Sequence, residues 1–192
     1  MPNQLAAILL AGGNSTRMGS NKALLEVEGM MMFEKVLNEI EKITPHIFIS
    51  SNQKLPLKKI YPVIPDSISN KGPMGGIYSV LEQSNFDNYI VVSCDAPFIK
   101  KELIDLLLNE HCNTAVVPVW ENKMYPFPGI YSRSIKNILQ EQLKKNQLKM
   151  KDLLNFIQAK EVEIYSSLKW MNKNIFLNIN TPQEYKAISV CN

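Results

Sequence analysis

A chain of 192 residues, 45% apolar and 20% charged with a net charge of +3, is long enough to bury one sizeable core and short for two. Its lysines are scattered, which argues against a nucleic-acid surface, and no apolar run approaches the roughly 20 residues of a membrane-spanning helix. Cys94, Cys112 and Cys191 are widely spaced and form no C-x-x-C pair; together with an N-terminus that lacks the basic start of a secretory signal, they point to a reducing, cytoplasmic setting without structural zinc.

The elements alternate along the chain. LAAILL (5–10) is a short continuous apolar run, the pattern of a strand buried on both faces. MMFEKVLNEIEKI (31–43) places Met32, Val36, Ile40 and Ile43 on one side at helical spacing, with charges opposite. HIFISS (46–51) and YPVIPD (61–66) read as strands, GGIYSVLEQS (75–84) as a helix opening at glycines, and YIVVSCD (89–95) as a buried strand ending in an aspartate. KELIDLLLNE (101–110) reads as a helix and TAVVPV (114–119) as a strand. YPFPGIYS (125–132), with two prolines, reads as irregular or as a sheet edge. SIKNILQEQLKK (134–145) and MKDLLNFIQ (150–158) read as helices, EVEIYS (161–166) as a strand and IFLNIN (175–180) as a further short strand. In TPQEYKAI (181–188), Thr181 is placed to cap a helix that has Pro182 at its first position.

Strands alternating with helices predict an α/β fold: one domain with a mainly parallel, doubly wound sheet. Ligands of such sheets bind beyond the carboxyl ends of the strands, at a switch in strand order. Those ends are Leu10-Ala11-Gly12-Gly13, Ser51-Asn52, Asp66 and Cys94-Asp95.

The stretch LLAGGNSTRMGSNKALL (9–25) carries the chemistry. It matches neither G-x-G-x-x-G nor G-x-x-x-x-G-K-[ST]. Yet Gly12 and Gly13 permit close backbone approach to an anion, Arg17 offers a planar fork for phosphate oxygens, and Lys22 adds a mobile charge. Asp95, at the end of a buried strand and followed by Pro97, suits Mg²⁺, which takes one or two carboxylates and completes its shell with substrate phosphates and water. His46 and His111 are isolated, at or beside helix ends, and read as surface or capping residues.

Four motifs in order carry a family resemblance over most of the chain. L-A-G-G-x₃-R-M-G-x₂-K at 10–22, IPDSISNKGPMGGIYSVL (64–81), VVSCDAPFI (91–99) and FLNINTPQEY (176–185) resemble the MobA family of molybdenum cofactor guanylyltransferases, within the nucleotidyltransferases of glycosyltransferase-A-like fold. The resemblance implies Mg²⁺-dependent transfer of GMP from GTP to molybdopterin, with release of pyrophosphate. It implies GTP contacts from Leu10, Ala11, Gly12, Gly13, Lys22, Asn52, Asp66 and Asp95, with Arg17, Lys22 and Asp95 as catalytic residues and Asp95 on the metal. Gly76, Asn178 and Asn180 fall on the acceptor or metal side. Residues to about 100 form the nucleotide-binding half and those from about 101 the acceptor half. Its implied partners are GTP, the molybdopterin cofactor, proteins of the cofactor pathway and acceptor molybdoenzymes, with neither nucleic acid nor membrane. Several members carry histidine or glutamine where this chain has Tyr125, before Pro126, so that contact is not carried over. Gly13, where cytidylyl and sugar-phosphate relatives often have alanine, favours guanine. A nucleotidyltransferase for another base, and a nucleotide-binding adaptor without catalysis, fit the same motifs.

Overall fold

The computed structural model describes residues 4–12 and 22–189. Strand β1 (Leu5–Leu10) runs through its centre. Ala6, Ile8 and Leu10 enter one core, while Ala7 and Leu9, followed by Ala11, enter the other. A strand covered on both faces has no solvent side, which is why its sequence does not alternate. Helices α1 (Met32–Ile40) and α3 (Lys101–Leu108) cover the Ala7 face. Helices α2 (Gly72–Gln83), α4 (Lys136–Lys144) and α5 (Met150–Phe156) cover the other. The sheet is therefore doubly wound.

The remaining strands are β4 (Ile47–Ser50), β5 (Val63–Ile64), β6 (Asn88–Ser93), β7 (Ala115–Trp120), β8 (Lys123–Met124), β9 (Gly129–Ser132) and β10 (Lys160–Glu163). Their order is β10-β7-β9-β6-β1-β4-β5, with β8 beside β7, while β2 (Glu26–Val27) and β3 (Met30–Met31) form a separate hairpin. Strands β5, β4, β1 and β6 are mutually parallel, and β7 is parallel to β10. From β1 the chain moves outward through β4 to β5 and then crosses to the other flank of β1 with β6. The switch in strand order therefore falls between β1 and β6.

Three expectations are corrected. The YPFPGIYS segment is not a sheet edge: its second half is β9, inserted antiparallel between β6 and β7. Both prolines precede the strand, so no ladder donor is lost. The insertion also demands Gly129, because a Cβ there would lie 2.7 Å from the Pro126 carbonyl oxygen and 2.8 Å from Tyr131 Cε2. IFLNIN forms no strand. Its buried residues Ile175, Phe176 and Ile179 follow a spacing of one and three, not the two of a strand, and the segment is a turn at Ile175-Phe176 followed by irregular chain to Asn180. His46 stands not at a helix end but directly before β4, where its carbonyl accepts from Ala7 N and its ring packs on Phe86 at 5.0 Å. The two hairpin turns, Glu28-Gly29 (φ 54 and 74) and Glu121-Asn122 (φ 50 and 60), are left-handed at both central residues, as two-residue hairpins of type I′ require. Glutamate at the first position hides that signal in the sequence.

Candidate active site

Strand register builds the site. Leu10 pairs with Ser50 on one side and with Ser93 on the other, and Ser50 pairs with Ile64. Four parallel strands therefore end at one level. Two residues beyond that level stand Asp95, Gly12, Asn52 and Asp66, in the spatial order β6, β1, β4, β5. At about 4.8 Å between neighbouring strands, the edge formed by the four strand ends is roughly 14 Å long. It lies across the β1/β6 switch point, where the topology opens a crevice.

Each member is held differently. Leu10 and Ala11 are buried and offer only backbone, and Ala11 N already donates to Ser50 O at 2.9 Å. Gly12 is exposed, and a Cβ there would make only ordinary contacts, 3.6 Å from Ser50 O and 3.7 Å from Ser51 Cα. Protein packing therefore does not demand a glycine at 12, and its bare backbone faces outward. Asn52 and Asp66 clasp each other: Asn52 Nδ2 donates to Asp66 Oδ2 at 3.1 Å, and Asp66 N donates to Asn52 Oδ1 at 2.9 Å. Gly13 and Arg17 lie outside the described residues. Lys22 opens a 3₁₀ turn, Lys22–Leu24, and its side chain is likewise outside the description.

Asp95 is buried to 8% exposure in the turn after β6. It does not cap α3, whose N-cap position is Lys100. Its carbonyl accepts from Ile179 N at 2.8 Å, which brings the exposed Asn178 and Asn180 to the same corner. Ile179 is buried against Val27 and Met32, with Phe98 and Tyr185 beside them. Glu184 Oε2 accepts from Asn180 N (2.7 Å) and Thr181 N (2.9 Å), while Thr181 Oγ1 accepts from Glu184 N (3.2 Å). This reciprocal cap starts α6 (Pro182–Ser189), and its T-x-x-E signature is visible in the sequence. Tyr185 ties the same helix to the β2–β3 hairpin by donating to Glu26 O at 2.7 Å. No sequence pattern announces that contact.

Gly75 and Gly76 do not precede α2; they lie inside it and are buried. A Cβ on Gly76 would come within 2.3 Å of Ser50 Oγ and 3.1 Å of Leu10 Cδ2. Gly76 thus lets α2 close on the ends of β1 and β4. Tyr125 stacks on Phe176 (4.3 Å between ring centres), which in turn stacks on Trp120 (5.6 Å), and Lys123 Nζ sits 4.7 Å above the Tyr125 ring.

A cleft of about 460 Å³ opens at the opposite end of the sheet, between the starts of β4 and β5. Its charged groups are engaged with one another. Lys59 Nζ donates to Glu41 Oε1 at 2.7 Å and the Tyr61 hydroxyl donates to the same oxygen. Lys59 and then Tyr61 hold the Glu41 carboxyl below its ordinary range, while burial, reinforced by Glu41, pushes the Tyr61 hydroxyl up to about 12. The Asp95–Asp66 row has the topology of a ligand site, and this cleft does not.

The chain matches the model of the MobA-like NTP transferase domain over residues 7–162. A Flavobacterium johnsoniae protein named "probable molybdenum cofactor guanylyltransferase" is 34% identical over 97% of both chains. A Clostridium perfringens protein of the same name is 32% identical over 95% of both. The crystal structure of molybdopterin-guanine dinucleotide biosynthesis protein A from Archaeoglobus fulgidus superposes with a TM-score of 0.80 at 23% identity, covering 97% of this chain and 98% of that one, and so shares its fold. With four parallel strands delivering their ends to one crevice, this chain belongs to the MobA-like NTP transferase family and is an enzyme of the nucleotidyltransferase class.

Proposed function

We propose that the enzyme transfers GMP from GTP to the phosphate of the molybdopterin cofactor, giving the guanine dinucleotide form and pyrophosphate. The observation that carries this reading is that the four strands leading to Asp95, Gly12, Asn52 and Asp66 end at one level, and so present these residues as a row across the switch point. Relatives named for this reaction, at 34% and 32% identity over nearly full length, support the choice of nucleotide and acceptor.

In this reading the row is a ruler for the nucleotide. Asn52 and Asp66 meet the base or ribose edge, the outward backbone after Leu10 passes the sugar and phosphates, and Asp95 stands at the phosphate end. Residues to about 100 hold GTP; residues from about 101, with Asn178 and Asn180, form the acceptor side. Antiparallel β9 begins where β6 ends, since Gly129 pairs with Val91, so the Tyr125–Pro128 segment enters from that side.

The residues at the corner fit Mg²⁺. Asp95 is a buried carboxylate, and the backbone bond from Ile179 N to its carbonyl brings Asn178 and Asn180 to the same corner, so a carboxylate and amide oxygens are the donors available there. Among the described residues no group of three His, Cys, Asp or Glu is placed to hold a metal alone; a single carboxylate shared with substrate phosphates is a habit of Mg²⁺. When bound, the ion neutralises phosphate charge and favours departure of pyrophosphate.

The acceptor phosphate is already ionised near neutral pH, so no strong base is required. One of its oxygens forms a bond to the α-phosphorus of GTP, and the bond to the bridging oxygen breaks, with pyrophosphate leaving with the electron pair. The chain's own contribution is alignment of donor and acceptor, with charge neutralisation by Arg17 and Lys22. Pyrophosphate release with GTP, molybdopterin and Mg²⁺ tests the reading. Release with GTP but not CTP or UTP is expected; release with CTP in place of GTP overturns the choice of base, and tight GTP binding without release makes the protein an adaptor.

A further inference from the structure

Asp66 is held from two sides. Asn52, from the end of β4, takes its N–H and one carboxylate oxygen. The next residue, Ser67, is held from α2. Ser79 is fully buried (0% exposure), and its Oγ lies 2.9 Å from Ser67 N and 2.9 Å from Ser67 Oγ. It also lies 2.8 Å from the Gly75 carbonyl, one helical turn back.

The proton arrangement follows from valence. Gly75 O only accepts, so the single Ser79 proton goes to it. Both Ser79 lone pairs then receive donors, the Ser67 N–H and the Ser67 O–H. Every hydrogen-bonding position of this buried hydroxyl is used, and two of the three fix the residue that follows Asp66. Consecutive backbone N–H groups, at 66 and 67, are thus clamped by two side chains, one from the loop after β4 and one from α2. The Asp66 loop carries no regular structure after Ile64, so little else in the local chain sets its direction.

We propose that Ser79 is a positioning residue for the nucleotide: it aims the Asp66 carboxylate without touching the ligand. The inference rests on the reading of Asp66 as a GTP contact. It separates Ser79 from a plain packing serine, because a packing role predicts loss of stability alone. A positioning role predicts loss of nucleotide affinity that depends on Asp66.

The test measures GTP Kd by calorimetry in the presence of Mg²⁺, steady-state kcat and KM, and Tm, on wild-type, Ser79→Ala, Asp66→Ala and the double variant. Ser79→Ala is expected to raise Kd and KM for GTP about tenfold, the worth of one well-made hydrogen bond, with kcat within about twofold. In the Asp66→Ala background the same change is expected to add less than about twofold, since coupled residues do not act additively. Equal, additive losses in both backgrounds, or an unchanged Kd in Ser79→Ala while Asp66→Ala weakens binding, overturn the proposal. Should Ser79→Ala fail to fold, the exposed Ser67→Ala decides: a roughly twofold to threefold rise in Kd supports it, and no rise overturns it. Wild-type GTP binding that Asp66→Ala leaves intact would instead overturn the reading of Asp66, and the role of Ser79 with it.

Discussion

The two halves of the sheet obey different rules. In β5-β4-β1-β6 every strand is parallel, so each connection must return to the same end before the next strand begins. The loops that leave the carboxyl ends therefore accumulate in one place, in register, and carry Asp95, Gly12, Asn52 and Asp66. In β9-β7-β10 the antiparallel β9 reverses this: Ser132, its last residue, pairs with Asn88, the first residue of β6. Strands β7 and β10 run with β6, so the chain before β9 and the chain after β7 and β10 reach the site end, where an aromatic pile of Tyr125, Phe176 and Trp120 stands. Parallel pairing in the first half concentrates polar chemistry at one edge, whereas the half that contains the reversed strand brings stacked aromatic rings to the same end.

Substitutions in the two halves should separate accordingly. The largest effect is expected from Asp95→Ala in the parallel half. Turnover should fall at least about 100-fold, in the range of losing a main electrostatic group, while Tm shifts by no more than a few degrees. A folded variant with near-normal Mg²⁺-dependent turnover would place the metal elsewhere. Gly76→Ala comes next. Its Cβ meets Ser50 Oγ at 2.3 Å, with Leu10 Cδ2 at 3.1 Å and Ser50 Cβ at 3.3 Å behind it, so the buried Ser50 hydroxyl must turn away or α2 must move, at a cost of about 1–3 kcal/mol in urea unfolding. Because α2 also carries Ser79, GTP affinity should weaken in parallel.

Asn52→Ala breaks the clasp on Asp66 and should raise KM for GTP about tenfold with little change in kcat. A comparable fall in kcat would instead place Asn52 in the chemical step. In the mixed half, Tyr131→Phe removes the hydroxyl that donates to Pro126 O at 2.8 Å. It should cost about 1 kcal/mol of stability while leaving KM for GTP unchanged, if, as proposed, this half of the chain serves the acceptor and not the nucleotide.

The smallest effect belongs to the cleft at the far end. Tyr61→Phe should cost a few tenths of a kcal/mol at neutral pH, because the cluster is solvent-screened. The pH dependence has two arms. The raised Tyr61 hydroxyl contributes stability below its ordinary value near 10 and loses it as pH rises through about 12. The lowered Glu41 carboxyl contributes above the ordinary carboxylate value of 4.5 and loses it as pH falls through its lower folded value. The stability gap between wild type and Tyr61→Phe should therefore shrink toward pH 12 and again in acid, with turnover at pH 8 unaffected. A change in turnover there would give this cleft a functional role.

Much of the site was legible because its residues sit where strands stop. Apolar runs such as LAAILL and YIVVS mark their own ends, and the polar residues that follow are visible without any structure. The Thr181 cap with Pro182 behind it and the stripe of Met32, Val36 and Ile40 were equally plain, since both depend on neighbours within one helical turn, while the answering bonds of Glu184 were seen only in the structure. β9 and the IFLNIN segment were not legible, because proline and apolar content do not say which partners a segment will find. The Glu28-Gly29 and Glu121-Asn122 turns escaped notice because their left-handed conformation is imposed by the flanking strands rather than requested by both residues.

The sequence by itself determined what depends on short-range chemistry: strands buried on both faces, amphipathic helices, and carboxylate, amide and glycine groups at the strand ends. Tertiary structure alone decided which of these groups stand side by side. Register between strands separated by tens of residues brings to one level the strand ends that lead to Asp95, Gly12, Asn52 and Asp66. The close approach of α2 to Ser50 gives Gly76 its role, and a buried hydroxyl twelve residues along the chain holds Ser67 beside Asp66. The physical reason is that hydrogen-bond register and side-chain packing are set by distant partners, and a residue's own neighbours in the chain carry no record of them.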